Sequence, residues 1–166
     1  MGDVVNELVW NRENGQITYN GVRYLLIRPE TISVWQEAME EKFPGSGELM
    51  FSGGLTGGRL STQGFARKLG LTPRQMVEFM TEMGGQIGWG RFVIEDLRED
   101  LLAIKVYNSP FASGHSPSSE GVCHLIRGVF AGVAEAVLGG EVSAKETKCL
   151  ALQDSYCCFE FAKKEL

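Results

Sequence analysis

The sequence has no surplus of positive charge. Sixteen Lys and Arg stand against 21 Asp and Glu, giving a net charge of −5 and a pI near 5.1. Nucleic-acid binders carry a basic patch or stripe, so no direct nucleic-acid partner is expected. Long apolar runs are missing too. The longest, Val129 to Leu138, is interrupted by Glu135 and falls short of the ~20 residues of a membrane span. Met1-Gly2-Asp3 lacks the basic and apolar regions of a signal peptide, which points to a soluble, cytoplasmic protein. Internal repeats, low-complexity tracts and linkers are also absent. With 166 residues, 43% of them hydrophobic and 22% charged, the chain is expected to form one globular domain over residues 1–166.

Glycine is plentiful: 21 of 166 residues, nearly twice the usual ~7%. The run Gly53-Gly54-Leu55-Thr56-Gly57-Gly58-Arg59-Leu60 invites a phosphate-loop reading. A Walker loop needs Lys and then Ser or Thr after its last glycine, and a strand before its first. Arg59 and Leu60 stand there instead, and no strand precedes, so nucleotide binding is rejected. Nicotinamide and flavin fingerprints are likewise missing, which weighs against a reductase.

The patterning gives an element order. Two extended runs occupy residues 4–28, with Asn20-Gly21 as a hairpin signal. A helix from about Glu30 to Phe43 puts Ile32, Trp35, Met39 and Phe43 on one apolar stripe. The next, from Glu48 to Leu69, has Leu49, Leu55, Leu60, Phe65 and Leu69 at helical spacing but contains five glycines. Each costs up to about 1 kcal/mol relative to Ala, so a backbone or a ligand must approach that helix closely. A third helix starts at Thr72-Pro73, a capping residue followed by Pro at the first position. Strands over Trp89–Glu95 and Leu101–Tyr107, a polar loop over Asn108–Gly121, a helix over Val122–Leu138 and two closing strands complete the chain. Hairpins and helices segregate, so the fold class is α+β: an antiparallel sheet packed against a helical layer, in the order ββ-ααα-ββ-α-ββ.

All four cysteines lie near the C-terminus. Clustered cysteines in a chain without a secretion signal read as metal ligands or reactive thiols before disulfides. The closing hairpin sets Cys149 opposite Cys157, and strand alternation lets only one of Cys157 and Cys158 share a site with Cys149. With Cys123, three thiols and one further ligand make a closed tetrahedral zinc site. Glu146 and His124 are the candidates for the fourth ligand; Glu146 needs a bulge or bend to point the same way as Cys149. The alternative is four buried cysteines that only pack.

Several stretches resemble the 4-vinyl-reductase domain family. They are Asn108-Ser-Pro-Phe-Ala-Ser-Gly-His115 with Val122-Cys123-His124, Gly128 with Gly132, and Leu138-Gly139. Glu146-Thr-Lys-Cys149 and Asp154-Ser-Tyr-Cys-Cys-Phe159 complete the set. The first hundred residues match only in helix order and in the glycine-rich second helix. The family includes sensor domains of phenol- and toluene-responsive transcription activators and a bacteriochlorophyll-synthesis accessory protein. It implies the fold of trafficking-complex (TRAPP) subunits. The sensors' zinc ligands are Cys, Glu, Cys and Cys, the Glu 23 residues after the first Cys, the next Cys three after the Glu and the last Cys eight after that. Cys123, Glu146, Cys149 and Cys157 reproduce these steps. The resemblance therefore selects Glu146 over His124 and Cys157 over Cys158, with zinc as a structural cofactor.

The same resemblance implies a small apolar or aromatic ligand between helices and sheet, with Phe65, Phe79, Trp89 and Phe92 as lining. These aromatics are otherwise ordinary core. His115 reads either as a solvated loop histidine or as part of a lid over that pocket. Any signalling requires a second protein or a dimer interface, and a homodimer is expected. The alternative function is an accessory, a carrier or a reductase in tetrapyrrole metabolism.

Overall fold

The computed structural model describes residues 3–165; Met1 and Gly2, part of the signal-peptide reading, lie outside the described residues. The two extended runs expected at the start form three short strands, β1 (Val9–Asn11), β2 (Gln16–Tyr19) and β3 (Val22–Tyr24), paired as an antiparallel meander. Asn20 and Gly21 both take positive φ in the connecting turn, the conformation that makes Asn-Gly the preferred two-residue hairpin. Three helices follow: α1 (Pro29–Lys42), α2 (Gly47–Leu69) and α3 (Pro73–Gln86). Thr72 caps α3 through a full capping box with Gln75.

Strands β4 (Arg91–Leu97) and β5 (Leu101–Tyr107) form the next hairpin. A short helix α4 (Pro110–Ser113) lies inside the loop expected after it. Helix α5 (His124–Leu138), β6 (Val142–Lys148) and β7 (Cys157–Lys163) close the chain, with a single 3-10 turn between the last two strands. The main sheet is fully antiparallel in the order β4-β5-β7-β6. This is the α+β class and element order expected from the sequence. Helix α5 lies on β6 and β7, α3 lies on β4, and α2 packs on α5. Among the described residues no helix is long and apolar enough to cross a membrane.

Two helices bury a different face from the one their apolar spacing suggests. In α2 the buried residues are Gly47, Met50, Gly54, Gly58, Thr62 and Phe65, while Leu49, Leu60 and Leu69 are exposed. The small residues are inside because α5 brings its own glycines against them. A β-carbon on Gly132 would lie 2.6 Å from the Arg59 nitrogen, and one on Gly128 would lie 2.8 Å from the Leu55 nitrogen. Paired small residues let two backbones approach closely, so a second helix occupies the space that the glycines leave. Arg59 and Glu135 close this contact with a two-pronged ion pair at 2.6 and 2.8 Å.

In α1 the apolar stripe is also displaced. Trp35 and Phe43 are exposed, whereas Ser33 and Gln36 are buried. The polar side of α1 faces the loop between β5 and α5: Gln36 donates to the Val122 carbonyl at 2.9 Å, and Glu37 accepts the Ser116 amide at 2.5 Å. The loop's orphaned backbone groups need polar partners, and α1 supplies them.

Candidate metal centre

Cys123 is the N-cap residue of α5, Glu146 lies in β6, Cys149 follows the end of β6 and Cys157 begins β7. The register of β6 against β7 shifts between Glu146 and Lys148, which is the bulge that a shared orientation of Glu146 and Cys149 requires. Cys157 is completely buried toward the core. Its neighbour Cys158 points to the other sheet face, with its thiol 3.8 Å from Glu95. His124 stands apart from the cluster, its Nε2 3.5 Å from Glu40.

One ligand atom from each of Cys123, Glu146, Cys149 and Cys157 lies within 4.8 Å of all the others. The Cys123 and Cys157 sulfurs are 3.5 Å apart, and those of Cys157 and Cys149 are 4.0 Å apart. Tetrahedral zinc with Zn–S bonds of ~2.3 Å separates two sulfurs by about 3.8 Å, so this spacing suits such an ion. Backbone groups orient the donors. The Cys123 amide donates to Glu146 Oε2 at 3.0 Å, the Leu150 amide to Cys157 Sγ at 3.5 Å, and Asp154 holds the Cys149 amide at 2.9 Å. Gly121 leaves room for the carboxylate: a β-carbon there would lie 2.6 Å from Glu146 Oε2.

The electrostatics point the same way. Hydrogen bonding from Cys123, then from Cys157, holds the Cys149 thiol far below the ordinary range. The contact with Cys149 is the main influence that raises Cys123 well above it. Hydrogen bonding to Cys123 favours the Cys157 thiolate, but Cys149 and burial outweigh it and push Cys157 up to about 12. Burial, followed by the Cys149 charge, pushes Glu146 up to about 9. Four donors in one small space thus compete over a single negative charge, and Glu146 Oε1 is buried with no hydrogen-bond partner. A divalent cation resolves both problems by replacing the shared protons and taking the orphaned oxygen. The donor set fits zinc, and an ion held by all four would have a closed shell of protein ligands.

The other residues expected to form a site are dispersed. Phe65 of α2 and Phe79 of α3 are buried edge to face with ring centroids 4.7 Å apart. Phe92 of β4 lies 5.2 Å from Phe130, and Trp89 lies 5.3 Å from Phe111 of α4. Two clefts flank the loop after β5. One, of about 350 Å³, is lined by Glu40, Gly47, Glu48, Ser118–Val122 and His124, among others. The second, of about 480 Å³, is lined by Tyr107, Asn108, Ser113, His115, Pro117 and Leu150, among others. Of the five expected ligand-lining residues only His115 borders either cleft. Its side chain is 7% exposed and bonded to Glu40, so it is not a solvated loop histidine. Glu40, which meets both histidines, escaped the sequence reading because nothing in the spacing of α1 marks its polar side as the inner one.

Residues 102–163 match the family model of the V4R domain. No curated protein matches the chain. The fold is similar to the crystal structure of the phenol-responsive sensory domain of the transcription activator PoxR with phenol, with a TM-score of 0.85 at 15% identity, covering 97% of this chain and 87% of that one. It is also similar to a vinyl-4-reductase family protein from Methanocaldococcus jannaschii, with a TM-score of 0.62 at 18% identity over 86% and 85% of the two chains. A trafficking protein particle complex subunit 3 from Naegleria fowleri, covalently bound to palmitic acid, has a TM-score of 0.57 at 17% identity over 82% and 95%. The match to the V4R family model thus spans the stretch that holds all four clustered donors, on a fold similar to those of the sensory domain, the vinyl-4-reductase family protein and the trafficking subunit.

Proposed function

We propose that residues 1–166 form one sensing domain for a small apolar or aromatic ligand, braced by a structural zinc on Cys123, Glu146, Cys149 and Cys157. The observation that carries this reading is the likeness, over 97% of the chain, to a sensory domain solved with phenol. Zinc supplies no catalysis here: it ties the start of α5 to the β6–β7 hairpin, as closed thiolate sites do.

The proposed ligand seat lies in the core among Phe65, Phe79, Trp89 and Phe92, with His115 on the loop after β5. Met76, Met80 and Met83 are buried on α3 in the same core and suit a site that must adapt to its occupant. Trp89 packs on Phe111 of α4, which links this part of the seat to the loop that carries His115. Leu25, Leu26 and Ile27 before α1, and Val34 and Trp35 on it, are large apolar side chains exposed to solvent, and these are the residues assigned to a homodimer contact.

Native mass spectrometry of the purified protein tests all three parts together. The expected result is a dimer with one zinc per chain that gains mass on addition of phenol. A metal-free monomer with no affinity for phenol or other small aromatics would overturn the reading.

A further inference from the structure

The chain has two histidines, and both meet one carboxylate. His115 Nε2 lies 2.9 Å from Glu40 Oε2, and His124 Nε2 lies 3.5 Å from Glu40 Oε1. The second ring nitrogen of His115 is also committed, with Nδ1 2.7 Å from the Ser116 carbonyl. Carbonyl and carboxylate oxygens only accept, so a ring facing one at each nitrogen donates from both, and only the imidazolium does that. Glu37, on the same side of α1, adds a second carboxylate 3.6 Å from Nδ1 and holds the Ser116 amide. The side chain is 7% exposed, so protein rather than water answers its charge.

We propose that His115 is a proton-operated clasp: as the imidazolium it binds segment 114–121 to Glu40 and Glu37 of α1, and when it loses its proton the segment is released and the clefts beside it open.

A neutral ring has one N–H. It can keep Glu40 or the Ser116 carbonyl, and the other oxygen then faces a lone pair in place of a donor. The segment has few other ties to the body; one is the Ser118 amide on the Ala151 carbonyl at 3.1 Å. It also forms walls of both clefts, through Ser118 to Gly121 on one side and His115 and Pro117 on the other.

The surrounding charges favour the closed form. Glu37 and Glu40 come from α1. From α5, His124 shares Glu40, and Arg127 is turned to Glu48 of α2 at 2.6 Å. Asp154 of the β6–β7 connection is engaged by the Cys149 amide. Burial alone favours a neutral His115, but the Ser116 carbonyl and Glu40 outweigh it, so its pKa is raised above the ordinary value. A raised histidine pKa means that the clasp is complete below about 6.5 and is lost as pH climbs through the higher folded value. The inference is independent of the ligand's identity and of the metal.

Proton NMR of the imidazole Cε1–H signals tests it on the full chain between pH 5 and 9. With two histidines, the spectrum of the His115→Ala variant makes the assignment. The expected result is a His115 midpoint above about 6.5, with the Ser116 and Ser118 amide shifts following the same midpoint. Glu40→Gln, which keeps the ring, should lower that midpoint by about one pH unit or more. A His115 that titrates at or below its ordinary value, or segment amides indifferent to its titration, would overturn the proposal. If His115→Ala does not fold, a His124→Gln variant, whose one remaining imidazole signal is that of His115, makes the assignment instead.

Discussion

Gly54 of α2 and Gly128 of α5 lie face to face, so close that a β-carbon on Gly54 would sit 3.1 Å from the Gly128 α-carbon and one on Gly128 would sit 3.0 Å from the Gly54 α-carbon. Neither helix can turn the other way, because Gly58 and Gly132 repeat the contact four residues on.

This contact divides the glycines of α2 into two classes with opposite expected effects. Gly54→Ala should cost about 1–3 kcal/mol or more, since backbone rather than a movable side chain stands in the way. Gly53→Ala and Gly57→Ala meet nothing within 4 Å and should stabilise by up to about 1 kcal/mol through helix propensity. Urea unfolding of the three variants measures both signs. Equal destabilisation by all three would contradict the assigned interface.

For the metal centre, elemental analysis should find one zinc per chain in the wild type and in Cys158→Ser, whose thiol lies on the opposite sheet face. The Cys149→Ser, Cys157→Ser double variant should contain none and should unfold at markedly lower denaturant concentration, because binding energy at a structural site is folding energy. Stoichiometric zinc in the double variant would rule out this ligand set.

Gly121 offers a way to disturb the site without touching a ligand. Its missing β-carbon makes room for Glu146 Oε2, 2.6 Å from where that atom would be. Gly121→Ala should displace the carboxylate and weaken zinc retention by about 10–100-fold, the range seen when a ligand's supporting partner is removed. Competition with a chromogenic chelator reads the change directly; an unaltered affinity would show that Glu146 does not hold the metal.

The ligand seat separates two tryptophans. Trp89 packs on Phe111 of α4, while Trp10 on β1 is 64% exposed. Trp89→Ala should weaken phenol binding about tenfold or more, in keeping with the ~1–3 kcal/mol lost when a buried aromatic contact goes, and Trp10→Ala should leave it unchanged. Calorimetric titration of both variants distinguishes this seat from one in the two surface clefts.

Local chemistry made much of this protein legible from the sequence. Asn20-Gly21 sets a hairpin because both residues tolerate positive φ, and Thr72-Pro73 starts a helix because the cap and the fixed proline φ both suit its first turn. Spacing alone left His124 beside Glu146 and Cys158 beside Cys157 as candidates, and the family resemblance chose between them; the need for a bulge beside Glu146 was legible directly, since a period of two otherwise turns it away from Cys149. What periodicity does not report is what lies against each side of a helix. Helix α1 carries both an apolar stripe and a polar one, and the polar side went inward because the loop after β5 presents backbone groups and a charged histidine that need partners. In α2 Leu49, Leu60 and Leu69 stayed outside because α5 came close enough to exclude every side chain at Gly54 and Gly58. Such choices belong to the tertiary structure, because close packing and the pairing of buried polar groups are settled between elements and not within them.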